Sequence, residues 1–304
     1  MAVEESPHAD LGHLQPSAQA LAPLPGAERV KRIRADRWIA YPRALRALAR
    51  LDTLYEWPTT LRMPNLLLVG PTNNGKSMIV EKFRRQHPPT SGVDAEQIPV
   101  VAVQMPSDPS VSRFYAALLA AIGAPLRPRQ RLAELEHLAL GLLRRVGVRV
   151  LVIDELHNML AGRDAGRREF LNLLRFLGNE LRIPLVGVGT RDAYLAIASD
   201  DQLENRFEPI VLPLWAEGEE TLSLLASFAS SFPLHNPSPI ATEEVARYLL
   251  ARSEGTIGEL TRLLTEAAVA AVDSGEEAIN QRSLSLAAYT SPRERRRLFE
   301  RQSS

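Results

Sequence analysis

Eight consecutive residues, Gly70, Pro71, Thr72, Asn73, Asn74, Gly75, Lys76 and Ser77, have the types and spacing of a loop that wraps phosphate. The glycines let the backbone curl until its amides point inward, and a helix starting at the lysine adds the positive end of its dipole to the same spot. The Lys76 ammonium then reaches the β- and γ-phosphates of a nucleotide, and the Ser77 hydroxyl is placed to ligate magnesium. With Met78 these residues form the candidate nucleotide-binding loop. Further along, Val150, Leu151, Val152 and Ile153 form an apolar run that ends in two adjacent acids, Asp154 and Glu155. A buried strand there delivers both carboxylates to one sheet edge, Asp154 into the magnesium shell and Glu155 within reach of an attacking water. The expected chemistry is hydrolysis of ATP with Mg2+, with Lys76 and Glu155 among the catalytic groups.

The elements that must position these residues follow from the apolar pattern. Asn65 to Val69 is a strand feeding the loop, Lys76 to Gln86 a helix, and Pro99 to Gln104 a second strand. Helices follow over Val111 to Ile122 and Leu132 to Arg145. Val148 to Ile153 has the continuous apolar character of a strand covered on both faces. A helix over Arg167 to Leu181 leads to the strand Leu185 to Gly189, and Ile210 to Leu214 is the last strand. Strands alternating with helices give a parallel α/β core. Beyond Trp215 the pattern is wholly helical, over Glu219 to Phe228, Thr242 to Ser253, Gly258 to Asp273 and Gln281 to Ala288. The expected organisation is a disordered leader over 1–27, a nucleotide-binding domain over 28–214, a small helical domain over 215–290 and a basic tail over 291–304.

A length of 304 residues exceeds what one compact core usually holds, in keeping with two domains. No apolar run approaches the roughly 20 residues needed to span a bilayer, so no membrane partner is expected. The first 27 residues lack Lys and Arg and carry Glu4, Glu5 and Asp10, unlike a signal peptide, which leaves the cytoplasm as the expected location. The chain has no cysteine, which excludes disulfides and thiolate metal sites. Its 6 histidines include no pair at helical ligand spacing beside a carboxylate, so His157 and Asn158, directly after the two acids, do not read as metal ligands. The 36 basic and 36 acidic residues cancel, yet Arg29 to Arg50 is strongly basic and the end of the chain carries Arg293, Arg295, Arg296, Arg297 and Arg301. Such runs either contact phosphates or form solvated helix faces.

With loop, acidic strand and helical appendage in this order, the chain resembles the AAA+ superfamily of P-loop NTPases. The resemblance implies a five-stranded parallel sheet with helices on both faces and a small all-helical C-terminal lid. It also implies two further catalytic positions. Thr190, ending the strand Leu185 to Gly189, falls where the family places a polar sensor between the acids and the γ-phosphate, although a threonine there also caps helices. Arg206, in Leu203-Glu204-Asn205-Arg206-Phe207, falls in the arginine-finger box that serves a neighbouring subunit, although a surface arginine pairing with Glu204 or Glu208 reads the same. The lid departs from the family: Gly255, Thr256 and Ile257 are followed by Gly258 where many members carry a second-sensor arginine, and Arg262 lies one turn later. Trp38 and Tyr41 fall where the family builds part of its adenine pocket, a position that core aromatics also occupy.

Four segments together narrow the resemblance to TniB, the ATPase subunit of transposition modules that also carry a DDE transposase. They are Arg37-Trp38-Ile39-Ala40-Tyr41-Pro42-Arg43, the loop Gly70 to Ser77, Ile153-Asp154-Glu155-Leu156-His157-Asn158, and Val186-Gly187-Val188-Gly189-Thr190-Arg191-Asp192-Ala193. The similarity runs from about Glu28 to Ala288. It implies an ATP-dependent DNA-binding regulator that forms a homo-oligomeric ring or helical filament on double-stranded DNA. Such a regulator recruits or activates the DDE transposase and answers to a target-selection protein. Candidate DNA contacts are Arg113, Arg163, Arg167 and Arg168. Two other readings stay open: an AAA+ helicase loader or replication adaptor, and a small-molecule P-loop kinase.

Overall fold

The computed structural model describes residues 11–92, 96–107, 110–127, 129–160 and 164–303. Its strands are β1 (Asn65–Val69), β2 (Thr90–Ser91), β3 (Glu96–Gln97), β4 (Val100–Gln104), β5 (Val150–Asp154), β6 (Leu185–Gly189) and β7 (Phe207–Val211). Five of them form one sheet in the order β4-β5-β6-β1-β7, every pair parallel, while β2 and β3 make a short antiparallel ladder. The order follows from composition. β1 and β6 are buried at every residue and β5 at all but Asp154, so these strands are covered on both faces, whereas the edge strands β4 and β7 are partly exposed. Burying leucines 66, 67 and 68 of β1 contributes about 1.5–3 kcal/mol each. Leu67 and Val69 join Leu151, Ile153, Phe114 and Phe170 in one core cluster.

The helices are α1 (Pro16–Gln19), α2 (Gly26–Ile33), α3 (Pro42–Tyr55), α4 (Lys76–Gln86), α5 (Val111–Ala121), α6 (Leu132–Arg145) and α7 (Asp164–Leu181). They continue with α8 (Arg191–Ala198), α9 (Asp201–Glu204), α10 (Glu219–Ser231), α11 (Glu243–Ser253), α12 (Ile257–Ser274), α13 (Gln281–Leu286) and α14 (Pro292–Gln302), and a 3-10 turn spans Leu156–Leu160. By contacts the chain divides into two units. Residues 43–213 form the α/β unit, and the segment up to Pro42 joins residues from Leu214 onward in a helical unit.

Two sequence expectations change. The last strand, read as Ile210 to Leu214, occupies Phe207–Val211 and begins opposite Asn65. Glu208 and Pro209 disguise it, and both are tolerated because an edge strand needs neither a buried side chain at each position nor every N–H. The leader read as disordered over 1–27 carries α1 and the start of α2, and the segment up to Pro42, whose part from residue 28 was read into the nucleotide-binding domain, belongs with the helical unit; residues 1–10 lie outside the described residues. Its partners are far along the chain. Leu14, Ala18 and Ala22 are buried together, the Gln15 N–H donates to the Ser230 carbonyl at 2.9 Å, and the Arg37 guanidinium lies 4.4 Å over the Phe232 ring. Arg29, only 5% exposed, makes two hydrogen bonds of 2.6 Å to the Glu277 carboxylate. The basic tail is α14, started by a reciprocal Ser291–Glu294 capping box and tied to α12 by a 2.6 Å Arg295–Glu259 pair. No helix among the described residues is long and apolar enough to cross a membrane.

Burial acts to raise the Glu277 carboxyl, but the Arg29 guanidinium and the His235 backbone N–H outweigh it and hold it below its ordinary value of 4.5. A depressed carboxylate stabilises the fold above its unfolded pKa, and that stability is lost as pH falls through the folded value. Arg29→Met strands the carboxylate without its partner. It should destabilise the helical unit by about 3 kcal/mol at pH 7 in urea denaturation, and should flatten the loss of stability on acidification below pH 4.5.

Candidate nucleotide site

The loop after β1 takes the shape that its residues dictate. The Gly70 N–H donates to the Gly189 carbonyl of β6 at 3.1 Å, and a Cβ on Gly70 would stand 2.6 Å from the Leu212 carbonyl oxygen, so only glycine fits. Asn73 and Gly75 adopt φ of 59° and 84°, left-handed turns that aim successive amides into one concavity. Thr72, Asn73, Ser77 and Met78 are exposed and Pro71 is half-buried, while α4 begins at Lys76 and points its N-terminal end at the same place. Asn74 has a role that sequence reasoning missed. Buried to 2% exposure, its side-chain amide donates to the Leu212 carbonyl at 2.8 Å and the Pro213 carbonyl at 2.9 Å. No spacing rule signals this clamp, because both acceptors are backbone atoms far along the chain.

Lys76 is 7% exposed, and its ammonium donates to the Gly70 and Pro71 carbonyls at 2.8 and 2.7 Å. Burial lowers its pKa, against the opposing pull of the Asp154 and Glu155 carboxylates. The Ser77 hydroxyl donates to Asp154 Oδ2 at 3.0 Å, and Asp154 Oδ1 accepts the Glu155 N–H at 2.7 Å. Two hard oxygens thus stand side by side next to a buried ammonium that donates to two carbonyls of its own loop. That donor set fits Mg2+, and an anion competes well for the ammonium. The residues present fit a magnesium-bound polyphosphate.

Glu155 opens the 3-10 turn in a left-handed conformation, φ 54°, and its Oε2 lies 3.2 Å from His157 Nε2. Thr190 stands at the N-cap position of α8 without capping it: its hydroxyl is buried and has no hydrogen-bond partner among the described residues. β5 and β6 end together, so Asp154, Glu155 and Thr190 converge on the edge that carries the loop.

The other sequence candidates lie elsewhere. Arg206 precedes β7, its carbonyl accepts the Asn65 N–H at 2.9 Å, and its Nη1 donates to Asn179 Oδ1 at 2.9 Å rather than pairing with Glu204. Glu208 pairs instead with Arg50 at 2.5 Å. Tyr41 packs edge-on against Trp215 with ring centroids 5.1 Å apart and is 5% exposed, which makes it a core residue of the helical unit; Trp38 is half-buried. Arg262 is exposed on α12. Arg113 and Arg168 are exposed, Arg167 is half-buried, and Arg163 lies outside the described residues.

The family model described as bacterial TniB protein matches residues 29–217, more than half of the chain. The chain belongs to the TniB family. Among curated proteins it is similar to the chaperone protein ClpB of Meiothermus ruber, 26% identical over 237 residues and 73% of this chain. ClpB of Lactococcus lactis is 26% identical over 175 residues, or 57% of this chain. The TniB chain spans only 26% and 19% of the length of these two relatives. Among solved structures, the Aeropyrum pernix ORC2 protein in ADPNP-ADP complexes aligns with a TM-score of 0.57 at 16% identity, covering 84% of this chain and 70% of that one. The Aeropyrum pernix ORC1 protein in complex with DNA aligns at 0.56 and 19%, covering 81% and 63%. With the five-stranded parallel sheet, these likenesses give the chain the α/β fold of an AAA+ P-loop ATPase.

Since Gly70 has no room for a Cβ against a backbone carbonyl, Gly70→Ala must displace either the loop or residue 212. It should weaken ATP binding by at least about tenfold, read by titration with a fluorescent ATP analogue, while circular dichroism stays unchanged.

Proposed function

We propose that this TniB-family protein is an ATP-dependent regulator of DNA transposition. It binds and hydrolyses Mg-ATP, oligomerises on double-stranded target DNA, and recruits or activates a DDE transposase under the influence of a target-selection protein. Its place of action is the cytoplasm.

The observation that carries the reading is the position of Arg206. Phe207 pairs with Asn65 at the start of β1, whereas the nucleotide loop follows Val69 at the other end of that strand. Five residues of strand separate the two by about 15 Å, so Arg206 does not reach its own chain's nucleotide. It lines a cleft of about 680 Å3 with Trp57, Arg62, Glu204 and Asn205. An arginine finger at this place completes the site of a second copy, and hydrolysis becomes a property of the assembly.

Within one site, Ser77 and Asp154 would hold Mg2+, which neutralises charge on the β- and γ-phosphate oxygens. Lys76 exchanges its loop carbonyls for those oxygens. Glu155 takes the proton of the attacking water, and the unpartnered Thr190 hydroxyl bonds between the acids and the γ-phosphate as a polar sensor. Gly258 offers no second-sensor arginine, so nucleotide sensing rests on Thr190 and Arg206. Arg113, Arg167 and Arg168 are the candidate contacts to DNA phosphates, each weak alone and multiplied by repetition along a ring or filament.

Lys76→Ala should abolish both nucleotide binding and DNA-dependent assembly. A wild-type protein that stays monomeric by light scattering, with duplex DNA and a non-hydrolysable ATP analogue present, would overturn the reading. Arg206→Ala should bind ATP with unchanged affinity and hydrolyse it about a thousandfold more slowly. Mixing Arg206→Ala with Glu155→Gln should restore part of the activity, because the second variant lends its Arg206 to the intact carboxylate of the first.

A further inference from the structure

We propose that His157 is the positioning residue for Glu155, holding the carboxylate in the rotamer from which it accepts the water's proton; this rests on the hydrolytic reading above. The Glu155 backbone is fixed in place. Its φ of 54° costs an L-residue about 1–2 kcal/mol, its N–H is held by Asp154 Oδ1 at 2.7 Å, and its carbonyl accepts the Asn158 N–H at 2.9 Å. The side chain is a different matter. It is 39% exposed, and a glutamate with that freedom loses substantial rotamer entropy when it is held to one direction. A base is useful only within about 3 Å of the proton it takes, so the direction decides the rate.

His157 supplies the direction. The 3-10 turn folds its ring back until Nε2 lies 3.2 Å from Glu155 Oε2. An ionised carboxylate only accepts hydrogen bonds, so Nε2 carries a hydrogen. The far side of the ring agrees with this tautomer. Nδ1 is buried without a partner among the described residues, and a hydrogen there would be an unsatisfied buried donor costing about 1–3 kcal/mol. Gly189 lies against the ring: a Cβ at that position would stand 3.4 Å from Nδ1, about van der Waals contact, while it is the Ala193 Cβ, at 2.7 Å, that leaves no room for one. The imidazole is thus wedged between the end of β6 and the carboxylate. It engages Oε2 and leaves Oε1 to take the proton.

Long-range 1H–15N spectra of the nucleotide-free wild-type protein should show His157 with its hydrogen on Nε2, and that preference should disappear in Glu155→Ala. His157→Ala should keep the wild-type ATP affinity and thermal midpoint while kcat falls about ten- to hundredfold. His157→Gln, which keeps an N–H at similar reach, should recover most of the rate. Three results overturn the proposal: a hydrogen on Nδ1, a His157→Ala rate at or above wild type, or equal losses in the two folded variants. Wild-type protein that hydrolyses no ATP with Mg2+ and duplex DNA marks failure of the hydrolytic reading itself. A hydrolysing wild type with an unaffected His157→Ala marks failure of this proposal alone.

Discussion

Parallel pairing of β1 between β6 and β7 is the constraint on which the site depends. Strands that run the same way end at the same edge, so one edge collects the loop from Gly70, the acids that end β5, and Thr190 after β6. The opposite edge receives what precedes the strands, and Arg206 is there because it precedes β7. Reversing β7 alone would bring the arginine beside its own loop. As paired, the loop and Arg206 stand at opposite ends of β1.

Within the loop, the side chains of Lys76, Ser77 and Asn74 are already hydrogen-bonded by the protein itself. Lys76 is bonded to two carbonyls, Ser77 to Asp154, and Asn74 to Leu212 and Pro213. For Lys76 and Ser77 nucleotide therefore exchanges hydrogen bonds rather than adding them, and an exchange is worth only about 1 kcal/mol each. The gain lies in charge, since a phosphate meets a buried ammonium and the positive end of α4 where carbonyls stood before. The Asn74 amide is the exception to the exchange. It faces away from the cradle to the last two residues of the α/β unit, so loop and connector form one hydrogen-bonded piece.

How much of this was legible depended on whether the signal was local. The loop, the strand before it and the acids ending β5 were readable because an apolar run and its polar terminus are contiguous, and β1 falls on the residues read for it. Strand β7 was displaced by three residues because Glu208 and Pro209 look like a loop and only an edge position excuses them. α1 and α2 were hidden for the opposite reason: a short amphipathic segment with prolines looks disordered until Ser230, Phe232 and Glu277 are set against it. Asn74 and His157 were named without their roles. An amide clamp on two distant carbonyls has no sequence signature, whereas a histidine two residues after a candidate base could have been read as its partner had metal ligation not been the only role considered.

The basic runs bear on how such a protein would hold DNA. From sequence, Arg29 to Arg50 and Arg293 to Arg301 look like phosphate-binding patches, yet much of that charge is neutralised at home. Arg29 pairs with Glu277, Arg34 with Glu266, Arg50 with Glu208, Arg295 with Glu259 and Arg296 with Glu254. A guanidinium in an ion pair releases no net counterion on meeting a phosphate unless the pair first breaks, so these residues add little to DNA affinity. With no net charge on the chain, no long-range attraction from the molecule as a whole adds to such contacts. On the transposition reading, affinity comes from repetition of a few weak contacts, and an Arg206 that completes a neighbour's site would provide that repetition.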